Sequence, residues 1–212
     1  MDLYARLPTG SSRFFGTIPS AMGLMTSLGS LSLRKSSLSG QIPDFFKNLT
    51  SLNSFDIGGN CISGMVDSLC RLAPSLAEIQ ATRNNLAGTL PPCLNKMSNL
   101  EKLYLSSNAI SGSIPPYFSN FNQLTMLEIG KADLTGTLPN FVKMESLNYL
   151  YLPRNKFSGT LPSTLIQMDS LQDLVLYENH LTGGLDPIRN VFRRVSLDHN
   201  HLTGTVSGRE RC

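Results

Sequence analysis

Residues 159–183 read "GTLPSTLIQMDSLQDLVLYENHLTG". Leu174 and Leu176 alternate with Val175, so both leucines point to one face of a short strand. Asn179 lies two residues before the next apolar position, Leu181, where the chain turns away from that strand. Its amide both donates and accepts, which suits it to satisfying turn backbone groups. Gly159 permits a tight or left-handed backbone, and Pro162 then fixes an extended bend. Leu165, Met168 and Leu171 are spaced by three, as in a short helical or 3₁₀ stretch on the opposite side.

The same pattern fills the chain. From Gly88 it runs Leu90, Pro91, Leu94, Met97, Leu100, Leu103, Leu105, Asn108, Ile110 to Gly112. Glycines recur at 16, 40, 64, 88, 112, 136, 159, 183 and 204, at intervals of 24, 24, 24, 24, 24, 23, 24 and 21. One such unit cannot bury its leucines alone. Units stacked side by side share a continuous core and a parallel sheet. The phrase "L-x-G-x-I/L-P" in a 24-residue period resembles the plant-type class of leucine-rich repeat proteins. The resemblance runs from about Leu7 to Val206. The "GTLP…M-x-S-L" phrasing is also similar to leucine-rich repeat surface antigens of kinetoplastid parasites, although the Trp usual in each of their repeats is absent.

That resemblance implies an α/β solenoid: a horseshoe with a concave parallel β-sheet and a convex side of short helical or 3₁₀ segments. It also implies a receptor-like, cell-surface or secreted setting. The expected organisation is a partial repeat over 1–15 without an N-terminal cap, a solenoid of seven full and one shortened repeat over 16–204, and a truncated repeat over 205–212. A chain that starts inside a repeat is expected to be a fragment or to tolerate an open end.

Composition agrees with an extended, weakly charged surface. Of the 212 residues, 41% are hydrophobic and only 16% charged, with Ser, Thr and Asn filling the gap. The net charge of +3 is spread along the chain. The densest basic spots, Arg34-Lys35 and Arg193-Arg194, read as solvated surface, so no nucleic-acid partner is expected. No apolar run reaches the length of a membrane span, and "MDLYARLPTG" has no signal-peptide core.

Several departures stand out. The Asn column reads Ser36, Asn60, Asn84, Asn108, Ala132, Asn155, Asn179 and Asn200. Ala132 has no amide, so the turn there is expected to be weaker. The Pro column fails at Asp67, Asp186 and Ser207. Cys70 falls on a core leucine position and reads most simply as a buried thiol. Cys93 lies one position off the same column, at a stacking distance that also permits a disulfide. Asn48-Leu49-Thr50 is a glycosylation sequon on the convex side.

The sequence carries no phosphate loop, dinucleotide fingerprint, zinc-finger spacing or nucleophile elbow. No enzyme activity and no cofactor are expected. His180 and His201 occupy equivalent turn positions in successive units. With His199 or Asp198 they are weighed as a metal site, but the further ligands are not evident and exposed turn residues are the simpler reading.

Residues between the strand leucines face the concave side. Counted unit by unit, Tyr104, Met126, Tyr149, Tyr151, Val175 and Tyr177 gather there, with Glu128, Arg154, Asp173 and Glu178 as a charged rim. An aromatic centre with a charged rim is the composition of a recognition surface. Strand propensity and lateral ladders account for tyrosines equally simply. The expected function is a non-catalytic module binding a protein, peptide or glycan through Tyr104, Met126, Glu128, Tyr149, Tyr151, Arg154, Val175 and Tyr177. A structural or surface-coat element is the alternative.

Overall fold

The computed structural model describes residues 3–6 (as backbone), 15–72, 74–141, 143–185 and 192–204. Residues 7–14 of the first partial unit, 186–191 of the shortened repeat and 205–212, with Cys212, lie outside the described residues.

Two parallel sheets run the length of the stack, each of nine strands among the described residues. The concave sheet takes one strand per unit: β1 (Leu3–Arg6), β3 (Leu28–Ser32), β5 (Ser54–Asp56), β7 (Glu78–Gln80), β9 (Lys102–Tyr104), β11 (Met126–Glu128), β13 (Tyr149–Tyr151), β15 (Asp173–Val175) and β17 (Arg194–Ser196). From β3 to β17 its register is unstaggered, with Leu103, Leu127, Leu150 and Leu174 abreast. The leucine columns therefore form one continuous core, including Leu105, Ile129, Leu152 and Leu176 at 0% exposure.

The convex side is built mainly of 3₁₀ turns: Ser20–Leu24, Asp44–Asn48, Val66–Arg71, Pro92–Lys96 and Pro116–Asn120, with one short α-helix, α1 (Ser163–Ile166). Most begin directly after a proline in extended conformation, as at Pro43, Pro91, Pro115 and Pro162. Pro fixes φ and lacks the donor that a helix start leaves unused. Phe46, Leu94, Phe118 and Leu165 then point inward at 0% exposure.

The unit lacking that proline is shifted. Its 3₁₀ turn starts two residues early, at Val66, after Met65, and the core position moves by one. Leu69 becomes the core residue at 0% exposure and Cys70 is exposed. This corrects the expectation of a buried thiol. Cys70 instead forms a disulfide with Cys93 of the next unit, with Cα atoms 5.5 Å apart. The sequon residue Asn48 ends an exposed convex turn, as expected.

The second sheet was not anticipated. It lies on the flank, where the sequence suggested only a turn: β2 (Gly16–Thr17), β4 (Leu38–Gly40), β6 (Cys61–Met65), β8 (Asn85–Thr89), β10 (Ala109–Gly112), β12 (Asp133–Thr137), β14 (Lys156–Thr160), β16 (His180–Gly184) and β18 (His201–Thr203). Its register is staggered: Gly88 faces Ile110, and Gly112 faces Leu134. That stagger explains the glycine column. At Gly112 φ is +81°, and an added Cβ would lie 2.8 Å from Thr89 Cγ2 of the preceding unit. Both the left-handed backbone and the close approach demand glycine.

Buried asparagines join unit to unit. Asn108 Oδ1 accepts the Leu86 N–H at 3.0 Å. Its Nδ2 donates to Ala81 O at 2.9 Å and Leu105 O at 2.8 Å. Asn60, Asn84, Asn155, Asn179 and Asn200 repeat this arrangement. Ala132 breaks it, and Ile110 N–H is left without a side-chain acceptor among the described residues. Ala132→Asn is expected to restore three hydrogen bonds and raise unfolding free energy by about 1 kcal/mol. Urea denaturation measures this, and an unchanged midpoint rejects it.

Candidate functional site

The concave sheet presents three columns of outward side chains, fixed by strand alternation and the unstaggered register. The central column aligns Gln80, Tyr104, Glu128, Tyr151, Val175 and Ser196. The column before it aligns Lys102, Met126, Tyr149, Asp173 and Arg194. Pro153 and Tyr177 follow in the third, joined to their neighbours by turn bonds such as Lys131 N–H to Pro153 O at 2.9 Å.

Seven of the eight expected site residues are open or half-buried here: Tyr104, Met126, Glu128, Tyr149, Tyr151, Arg154 and Tyr177. The eighth, Val175, lies in the same column but is 4% exposed, leaving it almost no surface to offer. Asp173, expected on the rim, is also buried at 7% exposure. All three residues of β15 are buried, which strand alternation alone does not foretell.

Tyr149 and Tyr151 meet edge to face, with ring centroids 6.5 Å apart, a favoured aromatic geometry. Tyr151 donates its hydroxyl to Asp173 Oδ2 at 2.6 Å. Asp173 Oδ1 has no hydrogen-bond partner among the described residues. Burial, and then the bond to the Asp173 carboxylate, push the Tyr151 phenol up to about 12. Burial, followed by the nearby Glu78 and Glu128 carboxylates, also raises Tyr104. Each of these causes disfavours a phenolate, so Tyr104 and Tyr151 keep their hydroxyl donors throughout the neutral range.

Arg154 lies over the Tyr177 ring, 5.8 Å from its centroid. Glu178 holds the guanidinium through two bonds of 3.1 Å, Nε to Oε2 and Nη2 to Oε1. This cation–π and carboxylate arrangement orients Arg154 at the patch edge. The other ion pairs of the concave face are looser: Arg34 to Asp56 at 3.7 Å and Lys102 to Glu78 at 3.9 Å.

The histidine pair is stacked, with ring centroids 6.2 Å apart and an interplanar angle of 13°. His180 pairs with Ser158 and His201 with Thr182 in the staggered flank sheet, so the two rings are not direct ladder partners. Among the described residues no group of three His, Cys, Asp or Glu side chains is placed to hold a metal, and no helix is long and apolar enough to cross a membrane.

Sequence reasoning placed Arg154 on the rim and read Lys35 as solvated surface, but did not join them with Arg83 and Lys131. Lys35, Arg83, Lys131 and Arg154 all stand just before the Asn column with positive φ of 51–57°. They are dispersed in sequence but share one edge of the concave face. The period marks their common column, while only the stacked units bring them to one edge.

The Tyr151–Asp173 bond is directly measurable. Asp173→Asn removes the charge that opposes phenolate formation, so Tyr151 is expected to ionise at lower pH, nearer its ordinary value of 10.0. Absorbance at about 295 nm, with Tyr151→Phe to assign the transition, reads the shift. A midpoint that stays put rejects the bond.

A leucine-rich repeat family model matches residues 99–121 and 146–168. No curated protein matches the chain. Among solved structures, the plant peptide hormone receptor RGFR1 in complex with RGF2 is similar at 31% identity and TM-score 0.83, over 89% of this chain and 31% of that one. The Arabidopsis receptor kinase HAESA, solved with the peptide hormone IDA and the co-receptor SERK1, is similar at 27% identity and TM-score 0.86, over 95% and 34%. A plant ice-binding protein is similar at 28% identity and TM-score 0.65, over 90% and 70%. The chain thus spans about a third of the length of the two receptor chains. With its 24-residue glycine period, stacked leucine columns and buried asparagine ladder, the chain is a plant-type leucine-rich repeat protein.

Proposed function

We propose that the chain is a non-catalytic binding module that takes a peptide or protein on its concave face. The observation that carries this is the tyrosine patch itself. Tyr104, Tyr149, Tyr151 and Tyr177 cluster on a rigid sheet, with two of them packed edge to face and one oriented by a carboxylate bond. Rigid aromatics with polar tips give large contact area at low entropic cost, the property of interface anchors. Met126, Glu128 and Arg154 extend the contact. Peptide complexes of RGFR1 and HAESA support a peptide rather than a glycan.

The setting that fits is outside the cell, at the surface or secreted. An inter-unit disulfide between Cys70 and Cys93 suits an oxidising compartment. In this reading residues 16–204 form the repeat body, and 1–15 and 205–212 are partial units at its ends.

Tyr149→Ala with Tyr151→Ala tests the site. Peptides selected from a displayed library on the wild-type chain are expected to lose at least tenfold in affinity for the double variant, with unchanged far-UV circular dichroism. Equal affinity would place the site elsewhere.

A second reading attaches to the flank sheet, favoured by its exposed hydroxyl pairs. Thr17 faces Ser39, Thr89 faces Ser111, Thr137 faces Ser158 and Thr160 faces Thr182. Within each pair the hydroxyls stand about 4.8 Å apart, and the ladder continues beyond them to Cys61, Asp133, His180 and His201. The similar plant protein is ice-binding. In this reading the chain inhibits ice recrystallisation, and Thr137→Lys with Thr160→Lys abolishes the effect. Ice growth unaffected by the wild-type chain rejects it.

A further inference from the structure

One edge of the concave face carries a file of cations that the solenoid assembles. The residue before each Asn-column position is held in left-handed conformation: Lys35, Gly59, Arg83, Ser107, Lys131 and Arg154, then Glu178 and His199. Backbone bonds continue the ladder through them. Lys35 N–H donates to Gly58 O at 2.9 Å, Gly59 N–H to Thr82 O at 2.8 Å and Arg83 N–H to Ser106 O at 2.8 Å. Ser107 N–H then donates to Gly130 O at 2.8 Å, and Lys131 N–H to Pro153 O at 2.9 Å. Successive members of the file are therefore about one strand spacing apart, roughly 4.8 Å. Lys35, Arg83 and Lys131 alternate with Gly59 and Ser107, so these three cations recur at about 10 Å.

Two depressions lie against this file and share Arg83, Ser106, Ser107 and Glu128 as lining, so they run together as one groove. The first reaches Lys35 and the Tyr104 ring, the second Lys131, Arg154 and the Tyr177 ring. Five cations and one carboxylate, Glu128, line the groove. Two of the cations are engaged internally: Arg34 with Asp56, and Arg154 with Glu178. Lys35, Arg83 and Lys131 are exposed and form no ion pair among the described residues. The groove therefore offers three free positive charges at regular spacing beside aromatic walls.

We propose that this groove anchors an acidic, extended peptide segment laid across the units, its carboxylates on Lys35, Arg83 and Lys131. This rests on the reading of the concave face as a peptide site and specifies the ligand's chemistry. The spacing selects the peptide's pattern. A polyproline-type chain advances about 3.1 Å per residue with three residues per turn, so every third side chain returns to one face after roughly 9–10 Å. Acidic side chains at every third position match the cations, and the spacer side chains lie over Tyr104, Tyr177 and Glu128. Arginine and lysine at these sites give electrostatic steering and register, with binding that weakens as salt screens them.

The test uses a fluorescent ten-residue probe with Glu at every third position and Ser-Gly spacers. A composition-matched probe with its Glu residues contiguous, a Lys counterpart and a heparin oligosaccharide serve as comparisons. Fluorescence anisotropy is expected to rank the Glu-every-third probe first. Its affinity is expected to fall at least tenfold in Arg83→Gln with Lys131→Gln, and severalfold from 50 to about 300 mM salt. Glu128→Gln is expected to tighten it severalfold by removing the groove's one carboxylate. No binding of this probe at millimolar concentration, or equal binding of the contiguous probe or of heparin, overturns the inference. The two readings fail separately. Library peptides that need Tyr149 and Tyr151 but are not acidic, and that ignore Arg83→Gln, leave the concave peptide site standing and remove the groove.

Discussion

The buried asparagine amide is the interaction on which the rest of this structure depends. At the end of every concave strand the chain must turn, and turning strands backbone groups inside the core. A buried, unmet group costs about 1–3 kcal/mol. Each asparagine meets three at once: its own unit's carbonyl, the preceding unit's carbonyl, and the N–H that opens the preceding flank strand. Asn179, for example, bonds Leu176 O, Leu152 O and Phe157 N–H. Because two of the three partners belong to the neighbour, satisfaction of one turn requires the next unit to be in place. The solenoid is thus held by its turns as well as by its leucines, and its cooperativity between neighbours has a specific chemical origin.

That arrangement imposes two different registers on one repeat. The concave strands lie abreast, whereas the flank strands step by two residues from unit to unit. Abreast strands convert a 24-residue period into straight columns, and straight columns gather tyrosines on one side and cations along an edge. Stepped strands set Gly40, Gly112, Gly159 and Gly183 against the threonine of the preceding unit, and leave hydroxyl pairs facing outward. A single repeat thereby makes two chemically distinct surfaces, one with an aromatic centre and a charged edge, the other with hydroxyl pairs beside the Lys156–Asp133 ion pair and the stacked His180 and His201.

Irregular units show what the regular ones require. Without proline at position 67 the convex turn starts two residues early, which brings Leu69 into the core and turns Cys70 out to Cys93. Where Ala132 replaces asparagine, the concave ladder passes through unbroken, with Lys131 N–H still bonded to Pro153 O. The stack tolerates one missing amide because hydrogen bonds on both neighbouring units hold the same backbone.

The sequence by itself determined the period, the leucine core and the concave placement of Tyr104, Tyr149, Tyr151 and Tyr177. Those follow from alternation and repetition, which are local and periodic. Tertiary structure alone decided the flank sheet and its stagger, the disulfide, and the burial of Val175 and Asp173. It also decided the meeting of Tyr151 with Asp173 and the assembly of Lys35, Arg83, Lys131 and Arg154 into one file. Each of these depends on how far one unit is displaced against the next. That displacement is set by hydrogen bonds and contacts between residues some 24 positions apart, which no single repeat contains.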